Sequence, residues 1–400
     1  MRHCARMIVW LALLLAACGP ITAPAEPSPI PPSVAGVTPT QVELHTRLPT
    51  ASAPPSAVPQ PTPTLEPTTT PAPAAHTLIV TNSAGHTISF IDPQSGTVTL
   101  IEVGAAPWGL ALAPNQIAYV ATAEGVAVVD IRQRERVALI AYQAAIGQPS
   151  FGEYRPGGMG IAVAPDGERV YVGVFLPDRS GRLEVIDTDK RTVIASVPIG
   201  VRPFQVLASR DGRIVYTVDH DTFTVTAVDA ATYSTRTLPV EPLGNGGWGS
   251  WDKPHYAALR ADGHLLLPIQ GRVLVDLDPV SGKTVALPLQ ANTHQHGVAL
   301  TPDGRHLLIV GTGPAGDAQG PPRLTVLDLA TMVEESIPLS RPHEQVALSP
   351  DGQLAYVTGG HSFGNAGWDG VSVVDLQRRS VTELAVPERP LDIQIFPERG

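Results

Sequence analysis

The sequence has few aromatic side chains and little charge. Only 5% of its 400 residues are aromatic and 16% are charged, and 37 acidic against 27 basic residues give a net charge of −10. The basic residues are scattered singly, with no cluster that could follow a phosphate backbone, so nucleic-acid binding is not expected. Glycine (37) and proline (41) are abundant. This balance favours many short strands joined by turns and argues against a helical protein.

The apolar run at the start, Met7 to Ala17, is too short to span a bilayer as a permanent helix. It follows Arg2 and Arg6 and ends in Leu-Ala-Ala-Cys18, which is typical of an export signal. The motif resembles a bacterial lipobox. The resemblance implies that residues 1–17 form a signal peptide and that Cys18 is diacylated. An ordinary signal peptide with a chance cysteine is the alternative.

The two cysteines of the chain support a lipid anchor. Cys4 would leave with the signal, so only Cys18 would remain and no intramolecular disulfide could form. Removing Arg2 and Arg6 would also change the net charge from −10 to −12. Acyl chains, and not a basic patch, would then hold the protein to a membrane. We expect it at the cell membrane on the extracytoplasmic side, facing either the periplasm or the cell surface.

The segment 18–75 consists mainly of Pro, Thr, Ser and Ala and has few large apolar residues. Proline removes backbone donors and restricts φ, so this segment is expected to be an extended, disordered tether.

Residues 76–400 repeat one pattern of four strands. An alternating strand comes first, and a strand that ends in Asp follows it; Asp92, Asp187 and Asp375 are examples. A weaker strand comes next, then a strand of small residues leading into a Pro-Asp-Gly type of turn. We interpret the recurrent Asp residues as acceptors that cap turns. The first-strand positions recur every 40 to 52 residues, and they are Ile79, Tyr119, Tyr171, Tyr216, Leu266, Leu308 and Tyr356.

Four strands in a period of this size predict an all-β, seven-bladed β-propeller of antiparallel blades. The first repeat lacks its small-residue strand, whereas the chain ends in an unpaired strand within 391–400. This last strand should pair with the strand near His76 and close the ring, which removes exposed sheet edges.

The stretch VTNSAGHTISFIDPQSGTVTLIEVGAAPWGLALAP resembles the YVTN repeat of bacterial and archaeal surface proteins. The resemblance extends over residues 76–400 and supports the propeller. It also implies a relationship to haem d-type nitrite reductases, to the heavy chain of methylamine dehydrogenase and to lactonases. Because these relatives include binders, scaffolds and enzymes, the resemblance does not decide the function.

The long connections between strands are all expected at one rim of the propeller, which we call the looped rim, and histidines are frequent there. His255, His296 and Glu344 directly precede the innermost strands of three successive blades, and His294 lies two residues before His296. Converging imidazoles could hold copper or zinc. We therefore regard His255, His294, His296 and His343 as candidate metal ligands; hydrogen-bonding histidines around a water-filled channel are the alternative.

Aromatic side chains on the same rim are candidates for ligand binding. Two Gly/Trp-rich stretches lie in 244–253 and 364–370. Flat rings there could stack on a sugar, a peptide or an aromatic ligand, or could instead cover the propeller and pack on neighbouring loops. The candidate ligand-binding residues are Trp108, Trp248, Trp251, Glu344 and Trp368.

No catalytic residues are assigned from the sequence. The first functional hypothesis is a lipid-anchored, monomeric binding module whose looped rim engages a protein or glycan of the cell envelope. The second is a metal- or cofactor-dependent oxidoreductase that uses the histidines. Hydrolysis of a lactone, the third, depends on fold analogy alone.

Overall fold

The computed structural model describes residues 75–240, 253–269, 271–360 and 367–398. In these ranges the strands form seven four-stranded antiparallel sheets, joined by loops and by a 3₁₀ helix at His220–Thr222. The predicted seven-bladed propeller is thereby confirmed. None of the helical structure in the described ranges is long and apolar enough to cross a bilayer.

Each blade is a four-stranded meander, and the strands are numbered in chain order. Blades 1 and 2 contain β1 (His76–Asn82), β2 (Thr87–Ile91) and β3 (Val98–Glu102), then β4 (Leu110–Leu112), β5 (Ile117–Ala121), β6 (Gly125–Asp130) and β7 (Glu135–Ala141). Blades 3 and 4 contain β8 (Gly157–Val163), β9 (Arg169–Phe175), β10 (Gly181–Asp187) and β11 (Thr192–Ile199), then β12 (Pro203–Ala208), β13 (Ile214–Asp219), β14 (Thr224–Asp229) and β15 (Thr235–Pro239).

The remaining blades follow the same order. Blades 5 and 6 contain β16 (Ala258–Leu259), β17 (Leu265–Ile269), β18 (Gly271–Leu277) and β19 (Thr284–Thr293), then β20 (Gln295–Leu300), β21 (His306–Gly311), β22 (Arg323–Asp328) and β23 (Glu334–Pro338). Blade 7 contains β24 (Val346–Leu348), β25 (Leu354–Thr358), β26 (Gly370–Asp375) and β27 (Ser380–Ala385). The last strand, β28 (Pro390–Pro397), belongs to blade 1.

The ring closes through the two ends of the folded region, as the sequence predicts. Strand β28 pairs antiparallel with β1, with Leu78 opposite Ile395 and Val80 opposite Ile393. It is therefore the innermost strand of blade 1, and β1 is bonded on both sides. No sheet edge is left open where the chain would otherwise begin and end.

Seven of the hydrophobic clusters among the described residues lie between blades, one for each pair of neighbouring blades. Strand β1 shows how period-two alternation produces this arrangement. Leu78 packs towards blade 7 and Ile79 packs towards blade 2, and both are fully buried. Because each blade buries both faces only against its neighbours, a single blade has no independent core.

The Asp residues that end the second strand of each repeat cap turns, as predicted. Each accepts a hydrogen bond from a backbone N–H two or three residues further on. The carboxylate thus serves as hydrogen-bond acceptor for a backbone N–H that has no strand partner in the turn. The seven residues are Asp92, Asp130, Asp187, Asp229, Asp278, Asp328 and Asp375.

The innermost strands converge around a central cavity of about 450 Å³. Two glycines permit their close approach. A Cβ at Gly160 would lie 2.4 Å from the Cα of Gln205 in the next blade, and one at Gly297 would lie 2.5 Å from the carbonyl oxygen of Glu344. At these two positions the contact between neighbouring blades therefore requires glycine.

A buried carboxyl group in blade 4 should make the free energy of unfolding depend on pH. Asp219 is fully buried and accepts hydrogen bonds from the hydroxyls of Thr217 (2.7 Å) and Thr226 (2.6 Å). Burial raises its pKa to about 7, although the hydroxyls oppose the shift. Between pH 4 and 7 the folded chain keeps a proton that the unfolded chain has released, so the free energy of unfolding should fall as pH rises through this window.

Replacing Asp219 by Asn should remove this dependence, because the threonine hydroxyls can reorient towards a neutral amide. In urea unfolding from pH 4.5 to 8, the free energy of unfolding of the variant should exceed that of wild type by an amount that grows with pH. It should approach a size on the order of 4 kcal/mol, since each pKa unit corresponds to about 1.4 kcal/mol. Parallel curves for the two proteins would contradict the prediction.

Candidate metal centre at the channel mouth

Seven side chains at one register position surround the mouth of the channel on the looped rim, and we call them the mouth ring. Strand pairing places equivalent residues of the repeats at this position, either two or three residues before the innermost strand or at its second or third residue. Bulges interrupt the pairing near the ring in blades 1, 3, 4 and 6 and bend these strands locally. The ring consists of Trp108, Met159, Phe204, His255, His296, Glu344 and Leu391.

One side of the mouth ring is apolar. Trp108, Met159, Phe204 and Leu391 belong to one buried cluster. The rings of Trp108 and Phe204 are stacked, with centroids 5.4 Å apart. The side contributed by blades 5, 6 and 7 is polar, so the mouth has two chemically different halves.

Three histidines meet in the polar half. His255, His294 and His296 are buried, and one possible ligand atom from each lies within 4.8 Å of the other two. The ring of His294 is edge-on to those of His255 and His296, with centroids at 5.1 and 4.7 Å. The rings of His255 and His296 are stacked at 4.0 Å and 19°, so binding one ion by both would require one ring to turn.

A second set of polar groups orients two of these histidines. The Nε2 atoms of His220 and His255 are 3.2 Å apart, and Nδ1 of His220 lies 2.8 Å from the carboxylate of Asp221. Among the described residues, Nδ1 of His255 has no hydrogen-bond partner. Nδ1 of His296 lies 2.9 Å from the carboxylate of Glu344. Carboxylates that accept the second ring N–H of a ligating imidazole are a common outer shell of histidine-bound metals.

Burial keeps part of the cluster uncharged. It lowers the pKa of His255 well below its ordinary value, and the neighbouring His296 adds to the shift. Burial also lowers the pKa of His220 to about 3, against the effect of Asp221. At neutral pH both imidazoles are therefore neutral, which is the form that binds metals.

A buried charge network lies beside the histidines. Asp221 contacts Nζ of Lys253 at 2.8 Å and the guanidinium of Arg202 at 3.3 Å, and Arg202 also pairs with Glu153. Burial alone would raise the pKa of Asp221, but His220 and Arg202 lower it to about 2. The carboxylate is thus ionised and compensates two buried cations.

The other candidates from the sequence lie apart from the cluster or outside the described residues. His343 is fully buried, with Nδ1 2.7 Å from the carbonyl oxygen of Arg341 and Nε2 2.8 Å from Oγ of Ser372. The indole N–H of Trp368 donates to the carbonyl of Pro342, and Arg341 covers its ring. Trp108 is buried in the apolar half. Cys18, Trp248 and Trp251 lie outside the described residues.

Several groups around the cluster were not singled out by sequence reasoning. Phe204 occupies the mouth-ring position of blade 4, and comparing this position across all seven repeats would have found it. Arg202, Asp221 and Lys253 lie in connections without a repeated pattern. Only Asp221, adjacent to His220, carries a local signal.

Comparison with known proteins supports the fold. No protein-family model matches the chain, and no curated protein sequence matches it. Among solved structures, hydrazine synthase of Kuenenia stuttgartiensis is similar with a TM-score of 0.56 and 19% identity, over 82% of this chain and 99% of the matched chain.

Two further structures are similar at 15% identity. The periplasmic gluconolactonase PpgL of Pseudomonas aeruginosa has a TM-score of 0.57 over 81% of this chain and 99% of its own. The dihydro-heme d1 dehydrogenase NirN, in complex with DHE, has a TM-score of 0.52 over 80% of this chain and 74% of its own. At these identities the similarity shows a shared propeller fold alone and does not establish an activity.

Proposed function

We propose that this protein is a lipid-anchored, extracytoplasmic propeller of YVTN-repeat type that binds one transition metal ion at its mouth. The observation that carries the proposal is the buried group of His255, His294 and His296, with possible ligand atoms within 4.8 Å of one another. The lipobox-like sequence ending at Cys18 supports the anchor and the location.

The donor set fits copper or zinc. Imidazole nitrogens suit these ions better than magnesium. Two nitrogens bound to one tetrahedral zinc lie about 3.3 Å apart at ordinary Zn–N distances, so the observed cluster needs a modest closure and the turning of one ring. Glu344 beside His296, and His220 beside His255, supply an outer shell that would orient the ligands.

Three protein ligands would leave a position for water or substrate. A zinc ion there would act as a Lewis acid, and a copper ion would allow one-electron chemistry. The metal-dependent oxidoreductase is therefore one form of this proposal. Lactone hydrolysis is supported by the shared fold with the gluconolactonase alone.

A metal-content measurement tests the proposal. The chain without residues 1–17 and with Cys18→Ser, which removes the remaining thiol, should bind about one Cu or Zn per chain after loading and desalting. A variant with His255, His294 and His296 all replaced by Ala should hold less than about a tenth as much, because every imidazole ligand is lost.

Glu344→Gln should weaken binding by about 10- to 100-fold, as expected for loss of an outer-shell carboxylate. His264→Ala is the matched control, because His264 pairs with Asp276 away from the mouth and is partly exposed. The proposal is wrong if correctly folded wild type stays metal-free after loading, or if the triple variant retains an equal amount.

A binding role of the looped rim is a second proposal, carried by two exposed aromatic side chains. Phe151 and Tyr154 in the connection before β8 are 49% and 55% exposed, unlike Trp108. Exposed flat rings of this kind suit a protein or glycan partner in the envelope.

A further inference from the structure

A buried arginine, which has no counterion among the described residues, lies across the mouth from the histidines. Arg155 is 2% exposed and forms no ion pair within the part of the chain that the structure describes. Two of its five N–H donors bond the carbonyls of Pro156 (3.3 Å) and Gly158 (2.7 Å). Its Nε has no hydrogen-bond partner among the described residues. A buried charge without a partner is costly.

Arg155 lines a small cavity at the looped rim. The cavity has a volume of about 170 Å³ and also includes Trp108, Phe151 and Arg389 in its wall. The guanidinium of Arg155 lies 5.7 Å from the ring centroid of Trp108, and the buried indole N–H of Trp108 has no acceptor among the described residues. The two residues that carry these donors, Arg155 and Trp108, thus both line the cavity, and Arg389 lines it beside them.

The charge of the wall favours an anion. Glu153 is the acidic residue of the wall, and its carboxylate pairs with Arg202 outside the cavity wall. Burial also lowers the pKa of Arg155 only to about 10, so the guanidinium is charged at neutral pH. Arginine presents a planar fork of donors that matches a carboxylate.

We propose that this cavity binds a small organic carboxylate through Arg155, with the indole N–H of Trp108 as a second donor. The carboxylate supplies the counterion that Arg155 lacks among the described residues, and the apolar part of the ligand packs on Trp108 and Phe151. The volume suits a ligand of a few carbon atoms and excludes a polymer chain. The cavity is spatially separate from the histidine cluster, because the ring of Phe204 lies between Trp108 and His255.

Thermal unfolding in EDTA-containing buffer at constant ionic strength tests this site. Acetate, propionate and pyruvate at 1–100 mM serve as probes, with acetamide as the neutral analogue and chloride as the plain anion. A ligand that binds only the folded state raises the unfolding temperature with concentration. We expect a rise of several degrees with at least one carboxylate and none with acetamide or chloride.

Arg155→Met should abolish the rise and keep the fold, because an apolar side chain of similar length replaces an uncompensated buried charge. Arg136→Met, on the exposed strand β7, is the control and should respond like wild type. Trp108→Phe, which keeps an aromatic ring and removes the N–H, should reduce the response and serves as the test if Arg155→Met does not fold. An equal response to chloride, an unchanged response in Trp108→Phe and Arg155→Met, or no response to any carboxylate would overturn the proposal. None of these outcomes bears on metal binding.

Discussion

Deletion of residues 391–400 should abolish the cooperative unfolding of the propeller. The deletion removes nearly all of β28 and leaves β1 without its inner partner. It also removes the buried side chains of Leu391 and Ile393 and the acceptor for the hydroxyl of Thr358. Each buried aliphatic side chain stabilises the fold by about 2–5 kcal/mol. Together with the lost strand pairing this loss is comparable to the whole stability of an ordinary domain, about 5–15 kcal/mol.

Circular dichroism during heating measures this effect. The truncated chain should show a broad, early transition, whereas a chain lacking only residues 399–400 should unfold like wild type. Ile393→Ala should give an intermediate result, with about 2–4 kcal/mol lost and cooperativity kept. A truncated chain with an unchanged, sharp transition would mean that ring closure does not hold the blades together.

Replacement of Asp221 by Ala should destabilise the metal-free protein by about 3–5 kcal/mol, because breaking a buried ion pair leaves uncompensated charge. Arg202 is fully buried and Lys253 is nearly so, and Asp221 contacts both. Glu153 remains beside Arg202, so Lys253 and His220 should be affected most. Urea unfolding at pH 7 in the presence of EDTA measures the loss.

Two further variants distinguish lost charge compensation from lost packing. Asp221→Ala combined with Lys253→Met should recover part of the stability, because the second change removes a cation that has lost its carboxylate. Glu335→Ala, at an exposed ion pair with Arg379, should change stability by less than about 0.5 kcal/mol. If Asp221→Ala is as mild as Glu335→Ala, Asp221 does not compensate the buried cations.

Much of the fold could be predicted because its signals are local and repeated. The strand positions follow from period-two alternation, and the seven turn-capping Asp residues mark where the second strands end. The closure by β28 followed from one strand too few at the beginning and one too many at the end. None of these inferences required knowledge of a loop conformation.

The candidate site was predictable in part. His255 and His296 share a register position in successive blades, so the repeat itself places them side by side. His343 directly precedes Glu344 of the mouth ring, yet its ring nitrogens lie against Arg341 and Ser372. Adjacent residues on an extended strand point in opposite directions, and this rule separates His343 from its neighbour.

The sequence alone is sufficient for the number of blades, the order of strands and the rim that carries the long connections, because these depend on periodicity and on pairing between neighbours. Only the tertiary structure shows that Asp221 lies between His220, Lys253 and Arg202, and that Arg155 is buried with no counterion in the described part of the chain. The contacts of Asp221 and Arg155 depend on how non-repeating connections fold over the ends of the blades. Such connections have no sequence period, and their charged side chains contact residues that are distant along the chain. No local sequence pattern therefore predicts which charges will form a pair.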